Sequence, residues 1–277
     1  MKIIADSSCL YSPVEEKEND IQVVPVEIIL DGKAYKDYVE IQSDELLSKL
    51  NAGMIPTTSQ PSIGEVVQIY EENQNEEVLM LSIGDGLSGT YQSVSSARNM
   101  IDHPEHIHVV DTQTLAGAYH YLVKKAIRLR NEGKMINEII HELQKSIQHS
   151  FSYVIPSDFQ FLKRCGRLTP IAAQISGLLK IVPVLTLTED RKKIEIFSIK
   201  RTAKKALSSI IESLKDKGVN ENFVISICHA GAFEKAKETM LVLKESFQNA
   251  CFEIHELSPS LILHGGPGCI LVHATMK

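Results

Sequence analysis

At 277 residues with 43% hydrophobic side chains, 15 Gly and 10 Pro, the chain has the size and make-up of a globular protein with two ordinary domains, which excludes a disordered one. A formal charge of −6 argues against a general polyanion binder, because nucleic-acid affinity rests on Lys and Arg neutralising phosphates; five cysteines, an odd number with no CxxC, fit a reducing compartment and offer no metal-ligand spacing. The N-terminal apolar run stops at Asp6, which is no secretory signal, and the longest apolar stretch, ISGLLKIVPVLTL, carries Lys180 and Pro183 and is shorter than the roughly 20 residues of a spanning helix, so a cytoplasmic protein is expected.

In chain order, KIIA (2–5) predicts a strand ending at Asp6, and IQVVPVEIIL (21–30) a β-rich run closed by the Asp31-Gly32 turn. SDELLSKLNAG predicts a short helix with Ser43 as N-cap. TTSQP reads as a loop before a helix, where Ser62 and Glu65 have capping-box spacing. VLMLSIG (78–84) and IHVVD (107–111) predict buried strands, each followed by a turn and a helix, and Gly133 stops the second of these helices. Strand–loop–helix units in series imply a parallel sheet with crossover helices. INEIIHELQKSIQHS then closes a first domain over residues 1–150. In a second domain, 151–277, IVPVLTLTEDRKKIEIFSIK predicts two strands around a charged turn, and the remainder reads as helix, strand, helix, strand, strand, an α+β pattern with a mixed or antiparallel sheet.

Three segments could carry chemistry. Thr58, Ser59 and Gln60 of TTSQP, and Ser88 with Gly89 of LSGTY, stand just before predicted helices, where unpaired N–H groups and a partial positive charge favour a carboxylate or phosphate; the ordinary reading is that such hydroxyls are caps. LHGGPGC (263–269) sets His264 before a glycine-rich backbone that suits a small anion as well as a plain turn. Two such loops and one imidazole describe a polar pocket with little fixed charge, suited to one carboxylate, and no GxxxxGK[ST] is present for ATP. In FLKRCGRLTP, the basic residues Lys163, Arg164 and Arg167 precede an apolar helix capped by Thr169 and Pro170, a docking patch or a solvated rim that Lys200 and Arg201 could extend. Ser88, His264 and Asp111 could form the triad of a stand-alone acyl hydrolase, although LSGT lacks the GxSxG elbow, and Cys165 has cationic neighbours but no identifiable base.

The segments ADSSCL, TTSQPS, LSGTYQS, DTQTLAGA, FLKRCGRLT, FSIKRTAKKAL and HGGPG run nearly end to end, and together they resemble the DegV family of fatty-acid-binding proteins, which includes the lipid-carrying subunit of bacterial fatty acid kinase. The resemblance implies a two-domain α/β protein holding one long-chain fatty acid, its tail buried and its carboxyl at the interdomain cleft. Carried onto this chain, the head-group contacts are Thr58, with Ser59 beside it, Ser88, with Gly89, and His264. The resemblance also implies no kinase activity, cofactor or metal of its own; the acid is presented to a separate ATP-dependent kinase subunit that makes acyl-phosphate for phospholipid synthesis. Arg164, Arg167 and Arg201 are the expected docking residues, nucleic acid is not an expected partner, and transient membrane contact is compatible with this role. Two positions depart from the family: Val182 stands where a lysine is usual, with Lys180 two residues earlier, and Cys165 where a second glycine is common.

Overall fold

The structure is a computed structural model, and it describes residues 1–173 and 181–277. The run KIIAD forms β1 (Lys2–Asp6), buried beyond its first residue, and a capping box of Ser12 and Glu15 starts α1 (Pro13–Glu18). Residues 21–30 do not form one strand. Pro25 has no N–H to give a ladder, and the run divides into β2 (Ile21–Val24), parallel to β1, and β3 (Glu27–Leu30), which joins another sheet. Asp31 and Gly32 both take positive φ, the hairpin geometry that returns the chain as β4 (Lys33–Lys36). There follow α2 (Ser43–Asn51), β5 (Thr57–Ser59), α3 (Ile63–Glu72), β6 (Val78–Ser82), α4 (Thr90–Arg98), β7 (Ile107–Asp111), α5 (Ala116–Asn131) and α6 (Ile136–Gln148).

Strands β2-β1-β6-β7 make a parallel sheet in that order, while β4-β3-β5 make a small antiparallel one. The order of the parallel sheet reverses between β1 and β6, which opens a crevice beyond their carboxyl ends. Asp6 sits at that point, fully buried, where its carboxylate accepts from Ile83 N (2.8 Å) and Ser8 N (3.0 Å).

The second half contains β8 (Ser150–Ile155), α7 (Phe159–Arg164), α8 (Pro170–Ala173), β9 (Val182–Leu187), β10 (Ile194–Lys200), α9 (Ala203–Asp216), β11 (Phe223–His229), α10 (Phe233–Ser246), β12 (Cys251–Glu256), α11 (Pro259–Gly265) and β13 (Ile270–Met276). Its sheet runs β10-β9-β8-β13-β11-β12, antiparallel except for β11 and β12, which α10 joins as a parallel crossover unit. The fold is therefore α/β, with a parallel sheet first and a mixed sheet second, as the sequence predicts.

Helix α5 locks the halves together by packing on β1, β11 and β13. A Cβ at Gly117 would stand 2.6 Å from Ser226 Cβ and 2.8 Å from Cys228 Sγ, so only glycine permits this approach. One apolar cluster accordingly runs from Leu79 and Leu81 of the first sheet through Leu122 of α5 to Val154, Leu185 and Leu271 of the second.

Several local expectations fail for tertiary reasons. Ser43 is not a cap: Gln42 occupies that position, and the Ser43 hydroxyl donates to Leu257 O (3.1 Å). Ser62 is the N-cap residue of α3 but its hydroxyl makes no cap bond, and the capping box is not completed because the Glu65 carboxylate accepts from Lys36 Nζ at 2.7 Å. TTSQP is not all loop, since Thr57–Ser59 pair with β3. The segment before HGGPG is helical: Pro259 at the first turn and Ser258, accepting from Leu261 N (3.4 Å), start α11. Thr169 does cap α8, accepting from Ala172 N (3.3 Å), but the predicted apolar helix beyond it, Lys180 included, lies outside the described residues.

Candidate functional site

The small sheet and α11 meet in front of the crevice. Thr58, opposite Ile28 in the sheet, places its Oγ1 3.1 Å from His264 Nε2 on the last turn of α11. The other ring nitrogen, Nδ1, is buried with no hydrogen-bond partner. Burial, with the Arg167 cation second, pushes the His264 pKa down to about 3, so the ring is a neutral imidazole at physiological pH. If the Thr58 hydroxyl donates to Nε2, Nδ1 is left as an unpaired N–H donor; the opposite arrangement leaves an unpaired acceptor. Either way a buried polar atom lacks the partner that such atoms normally have.

The Ser88 loop lies alongside. Ser88 Oγ is 2.8 Å from Thr90 Oγ1 and accepts from Thr90 N (3.3 Å), while Gly89 occupies the N-cap of α4. Gly89 lies directly under Gln60: a Cβ there would be 1.8 Å from Gln60 Oε1. Ser93 of α4 donates to Pro61 O (2.9 Å), so the TTSQP and SGTY segments pack as one unit. Ser59, next to Thr58 and opposite Glu27, turns its hydroxyl to Gln60 O (3.3 Å).

The three expected docking arginines occupy different places. Arg167 is drawn inward: its guanidinium donates to Leu87 O (3.1 Å) and to Cys165 O, clamping the Ser88 loop to the loop after α7. Arg164 is exposed and lies over the Phe161 ring at 4.8 Å. Arg201 follows the end of β10 remote from the site; Ile194, at the other end, lines the pocket, and seven residues of strand span roughly 20 Å.

Two cavities meet at these residues, each enclosing about 740 Å³ between its walls, mouth included. The inner one is a slot walled by Val26, Ile83, Leu115, Val154, Ile194 and Leu271, with Ser8, Ser88 and Ser260 among its few polar groups. It is narrow beside the wider outer vestibule. The vestibule is bounded by Met54, Ile55, Phe161 and Arg164, and Thr58, Cys165, Arg167 and His264 line both. A polar groove along β7, lined by Tyr91, Arg98 and Asp111, contains none of the candidate binding residues.

No hydrolase triad forms. The His264 ring faces Thr58, Ser88 is engaged with Thr90, and Asp111 Oδ1 accepts from Asp85 N (3.1 Å) and Gln113 N (2.9 Å). Cys165 is buried, its thiol directed to Leu162 O (2.8 Å), and burial raises its pKa, the reverse of an activated nucleophile. Among the described residues no group of His, Cys, Asp and Glu could hold a metal ion, and no helix is long and apolar enough to cross a membrane.

A parallel sheet, a small antiparallel sheet and a mixed sheet, tied together by α5 and lined at their junction by an apolar slot that carries a hydroxyl–imidazole pair, define an α/β protein with a binding cavity where the two halves meet. The family is equally clear: the profile described as "Uncharacterised protein, DegV family" matches residues 1–275, and the chain belongs to the DegV family. Similar curated proteins are DegV domain-containing proteins, one from Listeria innocua at 32% identity (97% of this chain, 95% of the relative) and one from Staphylococcus aureus strain N315 at 27% (97% and 96%). Among solved structures, the chain resembles a fatty-acid-binding DegV family protein from Thermus thermophilus with a TM-score of 0.90 at 28% identity, covering 100% of this chain and 99% of the other. The fatty-acid-binding DegV family protein from Streptococcus agalactiae gives a TM-score of 0.87 at 30% identity, covering 100% and 98%.

Proposed function

We propose that the protein binds one long-chain fatty acid, tail in the inner slot and carboxylate at Thr58, His264 and Ser88, and serves as a carrier rather than an enzyme. The carrying observation is the His264 ring, held by Thr58 on one side and unpaired on the other, at the meeting point of an apolar slot and an open vestibule. Solved relatives at 28–30% identity that are described as fatty-acid binding support the ligand class. Gly89 and Ser59 line neither cavity and act in this reading only as the chain neighbours that carry Ser88 and Thr58, while the N-terminus of α4 favours an anion near Ser88. Arg167, expected at a docking rim, supplies the cation nearest the head group instead.

Magnitudes assign the labour. About 14 methylenes at about 0.8 kcal/mol each contribute roughly 11 kcal/mol before association costs, whereas one hydrogen bond contributes about 1 kcal/mol. The tail sets affinity and the head sets orientation. The slot is narrow, so entry of the tail parts side chains such as Leu87, Leu162 and Ile194.

In this reading residues 1–150 and 151–277 act as two domains clasping the lipid in the cytoplasm, and the vestibule exposes the carboxyl to a separate ATP-dependent kinase subunit, with Arg164 at its rim and the remote Arg201 left out of the docking surface. Reconstitution with that subunit and ATP tests it. His264→Ala should lower acyl-phosphate formation more than it lowers retention of a fluorescent fatty acid. Equal loss of both, or ATP hydrolysis by this protein alone, would contradict the carrier role.

A further inference from the structure

Helix α11 has seven residues, too few to hold its own conformation in water, yet it delivers His264 to the pocket. What fixes it lies one turn back. Ser260, four residues before His264 and so on the same helix face, gives its backbone N–H (3.2 Å) and its hydroxyl (2.6 Å) to the two oxygens of the Asp37 carboxylate. Asp37 Oδ2 also accepts from Ser7 Oγ (2.8 Å), and that hydroxyl accepts in turn from Val26 N (3.0 Å). The Asp37 N–H donates to Val26 O (2.9 Å). A fully buried carboxylate thus joins the turn after β1, the segment leading into β3 and the start of α11.

This junction is costly. Burial outweighs its hydrogen bonds and pushes the Asp37 pKa up to about 6. An apolar contact would hold the helix at less expense; a forked acceptor adds direction, because two bonds to one residue fix both the axial position and the rotation of a short helix. Asp37 itself does not line the slot, whereas Ser260, Leu261 and His264 do.

We infer that Asp37 is a positioning residue of the binding site, acting through Ser260 to set the rotation of α11 and so hold the His264 ring against Thr58 and the polar end of the ligand. The ligand half of this inference rests on the fatty-acid reading above; the link from Asp37 to the ring does not.

The test uses the full chain and two readouts. Nitrogen-15 spectra of the ligand-free protein report the His264 tautomer, and paired titrations with palmitate and hexadecanol, which lacks the carboxylate, report head-group recognition. Asp37→Asn keeps the shape but leaves an amide with one acceptor atom. It should move the His264 resonances toward tautomer averaging, leave those of the remote His273 in place, and reduce the preference for palmitate over hexadecanol about tenfold. Ser260→Ala should act in the same direction. Wild-type His264 resonances in folded Asp37→Asn overturn the inference, as they do in Ser260→Ala should Asp37→Asn not fold. Shifted resonances with an unchanged palmitate preference overturn it as well. A wild-type protein with no preference for the acid sinks the fatty-acid reading instead, and the ring spectra then decide the role of Asp37.

Discussion

The imidazole of His264 shows how one side chain can be chemically quiet and still direct a site. With its pKa pushed down to about 3, it neither carries charge nor serves as a strong base at neutral pH. What it offers is a directed hydrogen-bonding nitrogen in an apolar wall, with Thr58 fixing the other nitrogen. Thr58→Val, similar in volume, would leave both ring nitrogens unpaired. It should cost the ligand-free protein about 1–3 kcal/mol and weaken palmitate binding several-fold, as read by thermal melts and titration. A variant as stable and as tight as wild type would show that the ring does not depend on this hydroxyl.

At the scale of elements, the site depends on how closely loops can approach. Gly86 has φ +86°, and a Cβ there would stand 2.7 Å from Lys192 O, where the Ser88 loop meets the β9–β10 turn. Gly89 instead has ordinary helical geometry and is crowded only by the flexible end of Gln60. Gly86→Ala should therefore destabilise by about 2–4 kcal/mol and disturb binding, while Gly89→Ala should cost under about 1 kcal/mol; comparison of their melting curves checks the order, and a reversed order would contradict the packing described. The same contrast explains what was readable. VLMLS and FVISICH announce themselves because they are apolar, β-rich and longer than four residues, and both are buried throughout; IHVVD is as readable, but as the edge strand β7 it is only half-buried rather than the buried strand its composition predicts. β5 has three residues and α11 seven, too short for any period to show, and their pairing partners lie far away in the chain. Thr58, Ser88 and His264 could be picked out from loop chemistry, but not their order in space. Arg167 looked like a surface charge because a sequence does not show that Leu87 O and Cys165 O draw it inward, and Asp37 gave no local signal because its function is tertiary.

Taken as a whole, the molecule places several neutral histidines at the joint between its halves. His120 stacks on Tyr11 at 4.5 Å, and burial, with His255 second, lowers its pKa to about 4. The unfolded chain titrates this group near pH 6.5, so between about 6.5 and 4 it takes up a proton that the folded protein refuses, and stability is lost as pH falls through that window. His120→Phe keeps the ring stack and removes the proton uptake, so its melting temperature should fall less than that of wild type between pH 7 and 4; parallel declines would contradict the assignment. These halves meet around the slot, and the occupant of the slot is the central claim. Mass spectrometry of the purified protein, intact and after denaturation, tests that claim most directly. We expect one long-chain fatty acid per chain, released on denaturation and much reduced by a bulky substitution in the slot such as Val154→Trp. A protein that carries no lipid and fails to take up palmitate when it is offered would contradict the account.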